Sequence, residues 1–296
     1  MKWKKTMKYG ILTNSDMKQK KYVILYAAMF TALVVIAMVN IIPILWVLLS
    51  GFKDVQELYA LPIKFLPEHI DLTKLVKVWN EMEFSSTYFA TFIMTTGCVI
   101  FDVVICGLAG YVLSRLKPPG TKISLKLLFL LILLPGTMRT VPLYMIFRNF
   151  PIFHINMTES FLPIWLMAAA NPFNIILFKN SFDGISKSLV EAAKIDGAGD
   201  CRIFFNIIVP LSMPVITTVA IFEFNGSFGQ FFWPNLLISK KELTVLGVKM
   251  FKMRNSNYTM DYQMLAVIFS ILPQVIVFSL FQKKIVGGIN VGGVKG

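Results

Sequence analysis

Residues 22–52 read YVILYAAMFTALVVIAMVNIIPILWVLLSGF, so that no charge falls between Lys21 and Lys53 over a run of 31 residues. About 20 apolar residues suffice to cross the hydrocarbon core of a bilayer as a helix. The stretch predicts a first membrane span. Ahead of it stand Lys2, Lys4, Lys5, Lys8, Lys18, Lys20 and Lys21. They resemble the basic region of a secretory signal, but the apolar part is too long for a cleaved one, and the helix is read as retained.

The pattern recurs along the chain. Between Glu83 and Arg115 the only charge is Asp102, and the intervals Glu159 to Lys179, Arg202 to Glu223 and Asp261 to Lys283 enclose apolar runs of 19, 20 and 21 residues. Residues 127–147 form a further apolar stretch interrupted by Arg139, read as a third span whose arginine reaches the outer interface or faces protein. The expected fold class is an all-α polytopic membrane protein with six transmembrane helices. Composition agrees, since 56% of the 296 residues are apolar, 15% are charged and the mean hydropathy is +0.67, which excludes an ordinary soluble domain.

The formal charge of +13 is sorted along the chain. With the basic start in the cytoplasm, Arg115, Lys117, Lys122, Lys126, Lys179, Lys187, Lys194, Arg202, Lys283, Lys284 and Lys295 also lie inside, placing eighteen of the 29 basic residues there. The first external loop, 53–84, holds four lysines against six acids. Residues 240–254 run against the trend, with Lys240, Lys241, Lys249, Lys252 and Arg254 on the side that parity makes external. The expected organisation is a basic cytoplasmic segment at 1–21, a transmembrane domain at 22–285 with a cytoplasmic loop at 179–210, and a glycine-rich cytoplasmic tail at 286–296. Both termini are then inside the cell membrane. The charge reports loop placement and does not point to nucleic acid.

Three cysteines, Cys98, Cys106 and Cys201, and two distant histidines, His69 and His154, offer no disulfide framework or metal-ligand spacing, and His-dependent catalysis is not expected. Prolines within the expected spans, at 43, 135, 142, 163, 172, 214 and 273, each remove a backbone donor and favour kinks. Kinked spans suit a transporter and equally suit irregular packing in any membrane bundle.

The segment between spans four and five, residues 188–210, reads SLVEAAKIDGAGDCRIFFNIIVP. Ser188 and Glu191 stand at capping-box spacing, Gly197 can end a nine-residue helix in a left-handed conformation, and Asp200 can cap the helix that follows. A helix about 13 Å long is too short to be stable alone and must pack against something. Leu189, Ala192, Ala193 and Asp196 share a face that a partner can approach closely. The chain thus predicts a short helix, a glycine elbow and a spanning helix, suited to receiving a push from a partner.

This string resembles the cytoplasmic EAA signature of binding-protein-dependent ABC importers. Glu191, Ala192, Ala193, Gly197, Ile207, Val209 and Pro210 fall on the marked positions, with Val209 where the signature has leucine. GFKDVQELYALPIKFLPEHIDLTKLVKVW (51–79), GYVLSRLKPPG (110–120), GSFGQFFWPNLL (226–237) and FQKKIVGGINVGGVKG (281–296) are similar to the carbohydrate, maltose-type permeases. The resemblance implies a type I importer permease with a cytoplasmic coupling helix. It also implies a second homologous permease, two ATPase subunits, an extracytoplasmic solute-binding protein and a carbohydrate substrate. It makes Glu191, Ala192, Ala193, Asp196, Gly197 and Pro210 the ATPase-coupling residues. ATP and magnesium would be bound by the partner ATPase, since the tail lacks the Lys-Ser/Thr of a phosphate-cradling loop. The chain is then a transport subunit and not an enzyme.

For the substrate path, Asn225, Ser227, Gln230, Phe231 and Trp233 combine aromatic faces with amide and hydroxyl groups, although an aromatic belt at the outer interface has the same composition. Asp102, Arg139 and Glu223 are ionisable groups near membrane depth, which usually face protein or an aqueous cavity. Two other readings stay open: an importer permease for a sugar-like solute such as a glycerol phosphodiester or polyol, and an ion-coupled secondary transporter using Asp102 and Glu223.

Overall fold

The computed structural model describes residues 20–151, 154–254 and 256–289, with side chains to residue 282. The basic segment and most of the glycine-rich tail lie outside the described residues. The described chain is helical, in two compact units divided after Asp71.

The first unit holds α1 (Lys20–Gly51), a single helix that Pro43 does not interrupt, and α2 (Val55–Leu58). Between α1 and α2, Lys53 Nζ donates to the carbonyl of Lys64, beyond α2, and lies 4.5 Å from the Trp46 ring centroid, while Trp46 meets Phe65 edge-on at 5.7 Å. These contacts fold the loop after α1 back on its own end.

The second unit opens with α3 (Leu72–Glu81). The second span is one 33-residue helix, Phe84–Leu116, containing α4 (Phe84–Phe101), a π-turn at Asp102–Cys106, α5 (Gly107–Tyr111) and another π-turn at Val112–Leu116. The other apolar stretches, except the last, are broken. The third consists of α6 (Thr121–Leu133), a 3-10 turn at Gly136–Arg139 and α7 (Thr140–Arg148), bent by 104°. The fourth consists of α8 (Leu162–Ala169) and α9 (Pro172–Asp183), bent by 43°. After α10 (Lys187–Ile195), the fifth runs through α11 (Asp200–Ile203), a π-turn at Phe204–Ile208 and α12 (Val209–Leu211), then bends by 78° into α13 (Met213–Phe228). Two short helices, α14 (Phe232–Leu237) and α15 (Leu246–Met253), precede α16 (Met260–Ile289). Counting each bent pair as one crossing, the spans among the described residues number six.

The breaks follow from backbone chemistry. Leu134 precedes Pro135 and takes an extended conformation, ψ 128°, as the proline ring demands, so α6 stops. The third span expected over 127–147, with kinking prolines at 135 and 142, is broken at the first of them: α6 starts earlier, at Thr121, and at 13 residues is only about 20 Å long, after which the chain turns sharply. At the fourth break Asn171 caps α9, its Oδ1 accepting from Phe173 N and Asn174 N, while Pro172 occupies the first turn where no donor is needed. Pro210 lacks the N–H that its preceding turn would use, and the helix widens into the π-turn before it. Pro273 sits inside the continuous α16.

Within this unit α13 packs on α4 and α16, α5 on α9, and α4 on α8. One ion pair is nearly dry: Lys74 Nζ on α3 lies 2.5 Å from Asp261 Oδ2 on α16, with each side chain 8% exposed. Removing one partner strands a charge, so Lys74→Met is expected to cost about 3 to 5 kcal/mol, whereas the double change Lys74→Met/Asp261→Leu should recover most of it. Thermal unfolding of the solubilised protein checks the difference.

Candidate functional site

The 187–210 elbow is built on three spans. Helix α10 is nine residues long, as its sequence predicts, but begins at Lys187, so Ser188 lies inside the first turn and is not the cap. The hydroxyls of Ser186 and Ser188 instead bond each other at 2.7 Å. At the other end Gly197 takes φ +78°, its N–H bonds the Lys194 carbonyl at 3.0 Å, and the Ala198 N–H bonds the Ala193 carbonyl at 2.9 Å. This is a Schellman termination, which satisfies two carbonyls that a helix end leaves open. Asp200 is the first residue of α11 rather than its cap, which is Gly199, and it lies 3.7 Å from Lys194 Nζ.

The two faces of α10 differ. Val190, Ala193 and the elbow residue Ala198 pack on a buried cluster that includes Tyr111, Phe182, Ile203 and Phe204. Leu189, Ala192, Ile195 and Asp196 point away from it and are exposed, Ile195 at 87% and Leu189 at 48%. The shared face expected from spacing is therefore split: Ala193 seats the elbow on its own bundle, and Ile195, which spacing did not single out, joins the outward face. Glu191 lines a second cavity of about 270 Å³ together with Arg115, Lys117, Lys187 and Lys194.

The clamp beneath the elbow comes from GYVLSR. Arg115 Nη2 donates to the carbonyls of Phe182 and, at 2.6 Å, Ile185, closing the C-terminal end of α9. Ser114 Oγ donates to Asp183 Oδ1 at 2.7 Å, and Lys179 pairs with Asp183 at 2.6 Å. Tyr111 Oη reaches the Asp200 carbonyl at 3.4 Å. Gly110 makes this possible, because a Cβ there would stand 2.7 Å from Phe178 Cβ and 2.9 Å from Lys179 N. In the sequence Arg115 marks only the inner side of the membrane; its bonding to a segment 67 to 70 residues away has no local signal.

The residues named for the substrate path disperse. Asn225 and Ser227 use their donors on their own helix, to the carbonyls of Ile221 at 3.0 Å and Glu223 at 2.7 Å. Phe231 stacks on Phe251 with ring centroids 4.9 Å apart, and the Gln230 carbonyl lies against Gly247. Trp233 alone among them lines the larger cavity, about 680 Å³, at the breaks of the third and fourth spans. Asp102 is fully buried, its Oδ2 accepting from Asn174 Nδ2 at 2.7 Å, while its Oδ1 has no partner among the described residues. Glu223 is half-buried on α13. Outside the spans, Glu159 accepts from the backbone N–H of Ser239 at 2.9 Å and of Lys240 at 3.0 Å, and these bonds hold its carboxyl below the usual value near 4.5.

A broken-helix membrane bundle with a short helix seated beside its spans is the fold of a type I ABC importer permease. A crystal structure of a bacterial ABC transporter that imports alginate superposes with a TM-score of 0.77 over 93% of this chain and 99% of that one, at 24% identity. Residues 104–290 match the family model described as binding-protein-dependent transport system inner membrane component, and the chain belongs to that family, a membrane-bound and non-enzymatic class of transport subunit. It is 30% identical over 271 residues to the diacetylchitobiose uptake system permease protein of Streptomyces coelicolor, covering 90% of this chain and 88% of that one. It is also 28% identical over 288 residues to the galactooligosaccharides transport system permease protein of Bacillus subtilis, covering 95% and 99%. With the arabinooligosaccharides permease protein of Halalkalibacterium halodurans it shares 25% identity over 286 residues, covering 95% and 100%.

Proposed function

We propose that this chain is the permease subunit of an ABC importer that conducts an oligosaccharide, paired with a second permease and driven through the elbow by a separate ATPase. Oligosaccharide permeases among its relatives support the substrate class. The observation that carries the coupling role is the two-sided α10, one face seated on the ends of spans two, four and five and the other offering Leu189, Ala192, Ile195 and Asp196 to a partner.

In this reading the elbow lies in the cytoplasm with both termini, and a solute-binding protein delivers sugar from outside. Glu191 and Ala192 meet the ATPase, Ala193 and Gly197 keep α10 in register, and Pro210 passes the movement into the bent fifth span. ATP and magnesium stay with the ATPase. Closure of the ATPase pair displaces the elbows as rigid bodies, and ATP binding shifts the bundle between inward- and outward-open states by stabilising one of them.

The clamp is part of this coupling. Arg115→Ala is expected to lower ATP-driven uptake at least about tenfold with the chain still in the membrane, because charge-assisted bonds worth about 1.5 kcal/mol or more are lost at the end of α9. Arg115→Lys should retain part of the activity. Transport assays on matched membrane amounts decide it.

The reading itself is tested by mild solubilisation of the tagged chain and mass spectrometry of what co-purifies. A second permease and an ATPase are expected. A chain recovered alone that moves solute without ATP overturns it in favour of an ion-coupled carrier.

A further inference from the structure

The cavity at the breaks of the third and fourth spans has a chemistry that the importer reading leaves unassigned. Its volume is about 680 Å³, and its 14 lining residues include one cation, Arg139, and no aspartate or glutamate. Arg139 stands on the 3-10 turn between α6 and α7, with Nη2 4.0 Å from the place a Cβ on Gly136 would occupy. Among the described residues no carboxylate or carbonyl pairs with it. Arg139 is an exposed side chain at the mouth of the cavity, where its guanidinium is open to an acceptor brought by a ligand.

Two further side chains in the wall present donors, beside the hydroxyls of Thr137 and Thr140, which can donate or accept. Asn171 spends Oδ1 on the α9 cap, bonding Phe173 N at 3.1 Å and Asn174 N at 3.4 Å, and so presents Nδ2 as a free donor. The indole N–H of Trp233 has no acceptor among the described residues, and this ring meets Phe232 edge-on at 5.6 Å. The positive end of the 12-residue α9 adds to the same field. The cavity therefore combines aromatic faces with side-chain donors from Arg139, Asn171 and Trp233, one positive charge and no negative one.

We propose that this cavity is a subsite for an acidic sugar, with a hexuronate carboxylate held by Arg139 and Asn171 and its pyranose ring against Trp233. The proposal rests on the oligosaccharide-importer reading and narrows its substrate to a uronate-bearing chain. A neutral sugar fills the volume but leaves Arg139 without a counter-charge, whereas a carboxylate matches the planar guanidinium fork with two parallel bonds. Aromatic rings beside the charge supply the apolar contact that a sugar ring face needs.

The test uses the assembled importer in nanodiscs without its binding protein, titrated calorimetrically with trimers of galacturonate, glucuronate and mannuronate and with the carboxyl-reduced counterpart of each. At least one acidic trimer is expected to bind about tenfold or more tightly than its reduced counterpart. Arg139→Gln should erase that preference, Arg139→Lys should keep part of it, and Trp233→Ala should weaken acidic and neutral trimers alike. Assembly of each variant is checked by size-exclusion chromatography, and Trp233→Phe replaces any Trp233→Ala complex that fails to assemble. No acid preference in the unaltered importer, a preference that survives Arg139→Gln, or an ion pair between Arg139 and an acid of the second permease overturns the subsite. ATP-driven uptake of neutral sugars without acid preference sinks the subsite alone; absence of ATP-driven uptake for every sugar sinks the importer reading with it.

Discussion

Gly197→Pro is expected to bring ATP-driven uptake to background while the protein remains in the membrane. Gly197 holds φ at +78°, and proline is locked near −65°. The same change deletes the N–H that bonds the Lys194 carbonyl at 3.0 Å, and with the turn lost the Ala198 N–H leaves the Ala193 carbonyl. Both Ala193 and Ala198 rest on the cluster of Tyr111, Phe182 and Phe204, so α10 loses its register on spans two, four and five. The buried contacts between α4, α13 and α16 lie elsewhere, which is why the bundle should still insert. Gly197→Asn separates conformation from bulk: asparagine tolerates the left-handed region, where an ordinary residue loses about 1 to 2 kcal/mol, and should retain measurable uptake. Uptake by Gly197→Pro at the unaltered rate, with equal amounts in the membrane, would remove the elbow from the transport mechanism.

The second large effect is expected at Gly110. Its Cα faces α9 so closely that an added Cβ would stand 2.7 Å from Phe178 Cβ, 2.9 Å from Lys179 N and 3.2 Å from the Ile175 carbonyl. Two of these are backbone atoms and the third is attached to backbone, so α5 and α9 must part to admit a side chain. Gly110→Val should cost about 3 kcal/mol or more, the upper end of overpacking, since it also draws Ser114 and Arg115 away from Asp183, Phe182 and Ile185. Gly107 on the same short helix is the control, because nothing lies within 4 Å of a Cβ built there. Gly107→Ala is expected to keep or raise stability, by up to about 1 kcal/mol, since alanine is the better helix former and has room there. Thermal unfolding in detergent and the amount of protein reaching the membrane provide the readout, and equal behaviour of the two variants would refute the close approach.

Much of the elbow was legible because its signals are local. A nine-residue helix, its glycine stop and the spanning helix after it are set by residues within a few positions of one another, and they appear where spacing places them. The N-terminal cap was misassigned by two residues, since Ser186 and Ser188 are both plausible caps and the backbone path out of α9 selects between them. Which face of α10 turns inward was not legible. Ala192 and Ala193 are chemically identical, and only the position of the Tyr111, Phe182 and Phe204 cluster distinguishes them.

The apolar runs by themselves determined that the chain is a helical membrane protein, because uncharged stretches of 19 to 31 residues have few other stable environments. The EAA spacing and the strings beside it also pointed to an importer permease, a class that the family match then established. Tertiary structure alone decided that the third stretch turns by 104°, that Asn225 and Ser227 bond within their own helix while Trp233 and Arg139 line one cavity, and that Arg115 holds the end of span four. The physical reason is range. Hydropathy and capping depend on neighbours along the chain, whereas a cavity or a clamp depends on which distant helices share a wall, and that follows from packing of the whole bundle.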